Sequence, residues 1–265
     1  MSESADKTKI EMGNKTDNKT VEVSSVGVTR NDVLVVLATY NERENIVQMV
    51  EQIFANAPDV DILVVDDNSP DGTGDWVEEN CRVDSRLKLL RRSGKLGLGT
   101  AILDAMRYAI VNDYKYLINM DADLSHSPKY IPSLRAKSLE GGYDVVIGSR
   151  YIPGGGVEGW AFSRRWMSYL VNLGAKFLLG LKTQDNSGAF RCYKVDTLKS
   201  LDMDKFISRG YSFCEEVLFR LKKKNATFAE TPIIFVDRQR GYSKINKKEA
   251  INAVLIFLRL GIFGP

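Results

Sequence analysis

Apolar residues along this chain fall into short continuous runs separated by stripes of helical period. Residues 33–40 (VLVVLATY) form a β-branched run without polar alternation, the mark of a strand buried on both faces. Residues 45–56 follow, with Ile46, Val50, Ile53 and Phe54 at helical spacing. Residues 61–67 (DILVVDD) read as a second strand ending in acids, closed by the turn sequence NSPDG at 68–72. Further strands are predicted at 87–90, 116–120 and 144–148, with a helix over 100–111. Strands alternating with helices predict an α/β fold with a largely parallel sheet. Beyond residue 150 the alternation weakens. A glycine-rich loop at 153–156 precedes an apolar, partly amphipathic helix over 164–181. A loop entering a short strand at 184–193, a helix near 215–223 and a strand near 233–236 complete the pattern.

The two ends read differently. Residues 1–31 are rich in Ser, Thr, Asn, Lys and Asp, lack periodicity and carry balanced charge, so a disordered tail is expected there. They contain no apolar stretch of the secretory-signal kind. Residues 32–248 are expected to form one domain, and 249–265 an apolar C-terminal helix. A spanning helix needs about 20 apolar residues, and the longest uncharged run here is only 250–258. Contact with a membrane surface stays open; crossing does not.

Composition narrows the chemistry. Among 265 residues, 44% are hydrophobic and 27% charged, ordinary for a chain that buries a core. Lys and Arg number 37 against 34 Asp and Glu, and that net charge of +3 disfavours a purely electrostatic nucleic-acid binder. The cysteines, Cys81, Cys192 and Cys214, show no metal-ligand spacing and read as free thiols. With His126 as the single histidine, a histidine zinc site or a serine–histidine triad has nothing to build on.

In open sheets of this kind, ligands bind at the carboxyl ends of the strands. Those ends carry Tyr40 and Glu42, Asp66 and Asp67, Asp121 and Asp123, and Arg150. Two carboxylates one residue apart repel each other unless a cation sits beside them. Oxygen ligands of this type suit Mg²⁺ or Mn²⁺, although Asp also caps the helix after a strand. Gly97 and Gly99 precede a helix, but they follow the third strand and lack the full dinucleotide-binding spacing; a P-loop is absent. Acids after the first two strands would then meet base and ribose, leaving a diphosphate to a metal at Asp123. His126 suits a role in orienting the acidic loop, with metal ligand or acid as alternatives. Trp160 and Trp166 fit either a membrane contact or ordinary core.

Several motifs occur in order: ATYNERENI (38–46), VVDDNSPDGT (64–73), GLGTA (97–101), MDADLSHSP (120–128), VIGSRYIPGGG (146–156), SRRWMS (163–168), NSGAFRCYK (186–194) and RGYSK (240–244). Over about residues 32–248 the chain resembles the inverting family 2 glycosyltransferases of GT-A fold, and within them the dolichol-phosphate mannosyltransferases. The resemblance implies a GT-A, Rossmann-like, mostly parallel sheet flanked by helices, with amphipathic helical elements at the C-terminal end. It implies donor contacts at Ala38, Tyr40, Glu42, Val65, Asp67 and Ala122, with Arg240 and Lys244 on a basic loop over the donor phosphates. Asp121 and Asp123 become metal ligands for Mg²⁺ or Mn²⁺, and Ser125 stands where some relatives place a ligating glutamine. Arg150, Arg164 and Ser168 match residues that hold the acceptor phosphate.

The implied reaction is inverting transfer of mannose from GDP-mannose to a polyprenyl (dolichyl) phosphate, giving a β-linked lipid-phosphate sugar. A lipid phosphate is already an anionic nucleophile, so orientation and charge stabilisation suffice. UDP-glucose or UDP-N-acetylglucosamine as donor is the alternative in the same fold; a catalytically silent subunit or binding module is the alternative outside enzymes. The implied partners are GDP-mannose, the polyprenyl phosphate, a peripheral membrane contact and a small membrane-anchoring subunit, with no nucleic acid. The implied place is the cytoplasmic face of a membrane: endoplasmic reticulum in a eukaryote, plasma membrane in a prokaryote.

Overall fold

A computed structural model describes residues 7–11, 20–24, 31–210, 212–237 and 247–264. In chain order the elements are β1 (Lys7–Glu11), β2 (Thr20–Ser24), β3 (Val33–Thr39), α1 (Arg43–Asn56), β4 (Asp61–Asp66), α2 (Thr73–Cys81) and β5 (Leu87–Arg91). Next come α3 (Leu98–Val111), β6 (Tyr116–Asp121), α4 (Ile131–Gly141), β7 (Val145–Ser149), β8 (Gly156–Glu158) and α5 (Phe162–Leu179). The remainder is β9 (Arg191–Lys194), α6 (Val195–Leu198), α7 (Phe213–Lys223), β10 (Phe228–Pro232), β11 (Ile234–Val236) and α8 (Lys247–Phe263).

The main sheet has the order β1-β2-β5-β4-β3-β6-β9-β7-β10. Its centre, from β5 to β6, is parallel, as the β-branched runs predict. β9 inserts antiparallel between β6 and β7, which a purely parallel reading does not foresee. The strand expected near 233–236 is β11, which pairs with β8 in a separate two-stranded sheet; β10, just before it, is not foreseen and extends the main sheet beside β7.

Successive residues of β3 alternate between the two faces of the sheet, so one strand feeds two cores. Leu34 and Val36 pack with α3, α7 and α8, through Met106, Leu218 and Phe257 among others. Val33, Val35 and Leu37 pack with α1, α2 and α4, through Ile46, Val77 and Leu134. Both faces are therefore covered, which is why the strand sequences are uninterruptedly apolar.

The tail expectation is corrected at two places. Residues 7–11 and 20–24 form an antiparallel pair, and β2 continues the sheet by pairing with β5, Val23 opposite Leu90. The sequences KTKIE and TVEVS carry β-branched Ile, Thr and Val, and β5 offers them an unpaired backbone edge. At the other end, α8 packs along α5 rather than standing apart. Its Phe257 and Leu260 are buried in the core. Val254, Leu255, Leu258 and Ile262 on the same helix are exposed. Among the described residues, no helix is long and apolar enough to cross a membrane.

Candidate active site

Strand order reverses at β3: β4 and β5 lie to one side and β6 to the other. The carboxyl ends of β3 and β6 diverge there, and a crevice opens at such a switch point. The register puts Ala38 beside Asp121 across one pair and beside Val65 across the other. A cleft of about 350 Å³ occupies this place, lined from β3 and its following turn by Ala38, Tyr40 and Glu42, and from β4 by Asp67. Asp121, Ala122 and Asp123 line it from β6, while Lys95, Gly97 and Arg209 line it as well. Val65 does not reach it. That side chain is fully buried against the α3 face of the sheet, so its expected donor contact is corrected to a packing role.

Each acidic strand end is followed by a left-handed residue. Asn41 (φ 62°), Asn68 (φ 55°) and Leu124 (φ 64°) come directly after Tyr40, Asp67 and Asp123. Asn tolerates this region; for Leu it is strained, at a cost of order 1–3 kcal/mol. The turn at Leu124 brings Ser125 back onto its neighbour. The Ser125 backbone N–H donates to Asp123 Oδ1 at 3.1 Å, and the Ser125 hydroxyl donates to the same oxygen. Ser125 is buried and absent from the cleft lining. In this structure its hydroxyl aims the Asp123 carboxylate from behind the cleft wall.

His126 supports the same strand end. Its Nδ1 accepts the Asp121 backbone N–H at 3.1 Å, the orienting role its position predicts. Burial lowers its pKa, against the pull of Asp121 and Asp123, so the ring is a neutral acceptor. The ring also packs on Phe190 (5.2 Å) and on Phe235 (5.1 Å).

Asp67 sits on the opposite wall. Its Oδ2 accepts the backbone N–H groups of Leu96 (3.1 Å) and Gly97 (3.4 Å). Arg92 Nη1 lies 2.9 Å from Oδ1 but at an angle that makes no hydrogen bond. Burial raises the Asp67 pKa and Arg92 opposes it. Tyr40 is capped by Lys95, whose Nζ lies 4.1 Å from the ring centroid. Glu42 precedes α1; its carboxylate accepts from Asn45 Nδ2 at 2.7 Å. The GLGTA glycines serve close approach of the backbone. A Cβ on Gly97 or Gly99 would come within 2.9 Å of the carbonyl oxygen of Arg209 or Ser208 respectively. That contact brings Arg209 to the cleft.

The arginines form a second cluster behind His126. Arg150 and Arg164 both lie over Trp160, at 5.3 and 4.2 Å from its ring centroid. Phe235 packs on Trp160 at 5.3 Å and on His126, joining this cluster to the acidic strand end. Trp160 is therefore core, whereas Trp166 is 50% exposed, which divides the two tryptophans. Ser168, one turn after Arg164 on α5, accepts a hydrogen bond from Tyr151 Oη at 2.7 Å. Its own O–H stays available to donate. Arg164 Nη1 donates to Asp237 Oδ1 at 2.6 Å. The Arg150 guanidinium has one edge engaged within the protein. Its Nε–Nη2 edge is held by Asp185 at 2.7 Å in both bonds.

Lys95, Arg209 and Asp185 have roles here that sequence reasoning missed. Lys95 adjoins the GLG motif, the one local signal that was present. Arg240 and Lys244 lie outside the described residues.

Four carboxylates, Glu42, Asp67, Asp121 and Asp123, line the cleft against the two cations Lys95 and Arg209. Such a surplus of hard oxygen donors in an open cleft fits a divalent cation that keeps waters and takes further ligands from a diphosphate. Among the described residues, no group of three or more His, Cys, Asp or Glu is arranged to hold a metal by itself. The fit is thus to a cation shared with a bound substrate.

Comparison with known proteins agrees with this geometry. The sequence profile described as Glycosyl transferase family 2 matches residues 34–202. The chain is 37% identical over 230 residues to the undecaprenyl-phosphate mannosyltransferase of Micrococcus luteus, covering 87% of this chain and 94% of that one. It is 37% identical over 232 residues to the polyprenol monophosphomannose synthase of Mycolicibacterium smegmatis, covering 87% of each. Glucosyl-3-phosphoglycerate synthase from Mycobacterium tuberculosis, solved with Mn²⁺, UDP and glucosyl-3-phosphoglycerate, shares the fold at TM-score 0.60 and 19% identity, over 89% of this chain and 81% of that one. A mannosyltransferase from Pyrobaculum calidifontis, solved with GDP-Man and Mn²⁺, does so at TM-score 0.54 and 16% identity, over 81% and 59%.

Proposed function

The chain belongs to glycosyl transferase family 2, and we propose that it transfers mannose from GDP-mannose to a polyprenyl phosphate with inversion. The observation that carries this reading is the pairing of an acid-lined cleft with a separate arginine cluster, joined through His126, Phe235 and Trp160. One suits a nucleoside diphosphate with its metal; the other suits a phosphate monoester. The relatives named as polyprenyl-phosphate mannosyltransferases, which the chain matches over 87% of its length, favour mannose over glucose.

The residues divide the work. Tyr40, Glu42 and Asp67 bind base and ribose, with Ala38 and Ala122 shaping the cleft floor. Mg²⁺ or Mn²⁺ held by Asp121 and Asp123 would supply Lewis-acid neutralisation of the departing diphosphate. Ser125 and His126 keep those two strand-end residues in place. Arg150 Nη1, Arg164 and the Ser168 hydroxyl orient the acceptor phosphate for in-line attack on the anomeric carbon. Arg240 and Lys244 close over the donor phosphates. No residue need act as base, because the acceptor arrives as an anion.

The isoprenoid tail stays in lipid, so the acceptor phosphate is met at headgroup level. On α5, Phe162 is 75% exposed, Phe177 80%, and Trp166, Tyr169 and Leu170 about as open as their neighbours on α8. The α5 side chains share a helix with Arg164 and Ser168, and with those of α8 they support peripheral attachment at the cytoplasmic face, reinforced by a small membrane subunit.

The test is a radiolabelled-donor assay with short-chain polyprenyl phosphate, comparing GDP-mannose, UDP-glucose and UDP-N-acetylglucosamine. Transfer from GDP-mannose alone, abolished in Asp123→Asn, is expected. Preference for a uridine donor overturns the donor assignment; full activity of the variant overturns the metal site.

A further inference from the structure

We infer that Asp185 is a positioning residue for the acceptor phosphate, acting through Arg150; this rests on the reading of the arginine cluster given above. Asp185 lies on the loop before β9 and is 0% exposed. Its Oδ2 accepts from Arg150 Nε at 2.7 Å and from the Arg150 backbone N–H at 2.9 Å. Its Oδ1 accepts from Arg150 Nη2 at 2.7 Å and from the Gly188 N–H at 3.0 Å. One carboxylate thus holds both the side chain and the backbone of the arginine. The loop itself is pinned from β10, where Glu230 accepts the backbone N–H groups of Gln184 (2.8 Å) and Asp185 (3.0 Å).

Counting donors shows what remains for a ligand. A guanidinium has five N–H groups in a fixed plane. Asp185 takes one from Nε and one from Nη2, and Ser187 Oγ takes the other from Nη2 at 2.8 Å. The two on Nη1 have no hydrogen-bond partner among the described residues. Trp160, Tyr151 and Phe235, with ring centroids 5.3, 5.3 and 5.7 Å away, pack around the plane.

The device also settles a competition. Asp121 lies close enough to Arg150 to favour its charged form, so a loosened guanidinium would be drawn toward the acidic cleft. There it would neutralise a carboxylate that the donor site needs. Asp185 is well suited to prevent this. Burial alone would raise its pKa, but Arg150 holds the carboxyl below the ordinary range, so it is a permanent anion at neutral pH. Arg150 thereby keeps a counter-charge that is independent of substrate.

The variant Asp185→Asn keeps the volume of the side chain and removes its charge. Misplacing a positioning group by about 1 Å costs on the order of 10²-fold in rate. With the full-length chain, kcat/KM for a soluble short-chain polyprenyl phosphate is expected to fall by about that factor. GDP affinity, measured by calorimetry, should stay within about twofold, and Asp185→Glu should restore part of the loss. Binding of the same lipid phosphate by calorimetry, without donor, should weaken in parallel. Unchanged acceptor kinetics in Asp185→Asn, or an equal loss of GDP affinity, overturns the inference. Should that variant fail to fold, Ser187→Ala removes one of the three bonds and leaves the ion pair. It is expected to show a smaller loss confined to the acceptor, and wild-type acceptor kinetics there overturn the inference as well. A wild-type chain that neither binds nor mannosylates the lipid phosphate overturns the acceptor assignment together with this one. Wild-type activity with an indifferent Asp185→Asn overturns this one alone.

Discussion

Replacing Glu215 by glutamine should stabilise the protein above neutral pH and leave it little changed below pH 4.5. Glu215 lies in the first turn of α7, is 2% exposed, and its Oε2 has no hydrogen-bond partner. Burial pushes its carboxyl from an ordinary 4.5 up to about 7. A backbone hydrogen bond, Arg191 on β9 and Arg150 after β7 favour the anion, but the loss of water, aided by Asp185, outweighs them. Below pH 4.5 the carboxyl is neutral in both folded and unfolded chains and exacts no penalty. As pH rises from there to about 7, the unfolded chain releases its proton while the folded chain keeps it. Stability therefore falls across that window and levels off above it. At about 1.4 kcal/mol per pH unit, the full loss is about 3 kcal/mol. A glutamine carries no such dependence. Urea unfolding of both proteins at several pH values isolates the effect, because His126 and every other titrating group are common to the two. The advantage of Glu215→Gln should grow from about 1 kcal/mol at pH 5 to about 3 kcal/mol at pH 8. A difference that stays constant from pH 5 to pH 8 would refute the claim that this carboxyl is held neutral by burial.

Two further substitutions test the assignments of Ser125 and α8. Ser125→Ala leaves the proposed ligands and the backbone N–H bond to Asp123 Oδ1 in place but removes the hydroxyl bond to the same oxygen; the metal concentration for half-maximal activity should rise about 10–100-fold. An unchanged metal requirement would mean that Asp123 is oriented without the Ser125 hydroxyl. Phe257→Ala removes a ring buried against α5 and should cost about 3–5 kcal/mol in urea unfolding. A loss below about 1 kcal/mol would detach α8 from the core.

Local pattern alone made much of this protein legible. The runs at 33–40, 61–67 and 116–120 announce strands because a strand covered on both faces has no polar positions to spare. The acids that end them mark the cleft because parallel strands must all terminate at one edge. β3, β4 and β6 accordingly deliver Glu42, Asp67, Asp121 and Asp123 to one place. Helix α5 follows from the stripe over 164–181, while the exposure of its aromatic side chains came only from the structure. What stayed hidden were relations between distant residues. Nothing near Asp185 in the sequence indicates that it grips Arg150, 35 positions earlier. Arg209 reaches the cleft only because Gly97 and Gly99 let its backbone pass. The burial of Val65, the inward turn of Ser125 and the antiparallel insertion of β9 likewise depend on which elements become neighbours. Periodicity encodes how each segment partitions between water and core, a local free energy. Which carboxylate meets which guanidinium depends on the packing of whole elements, and only the assembled fold decides it.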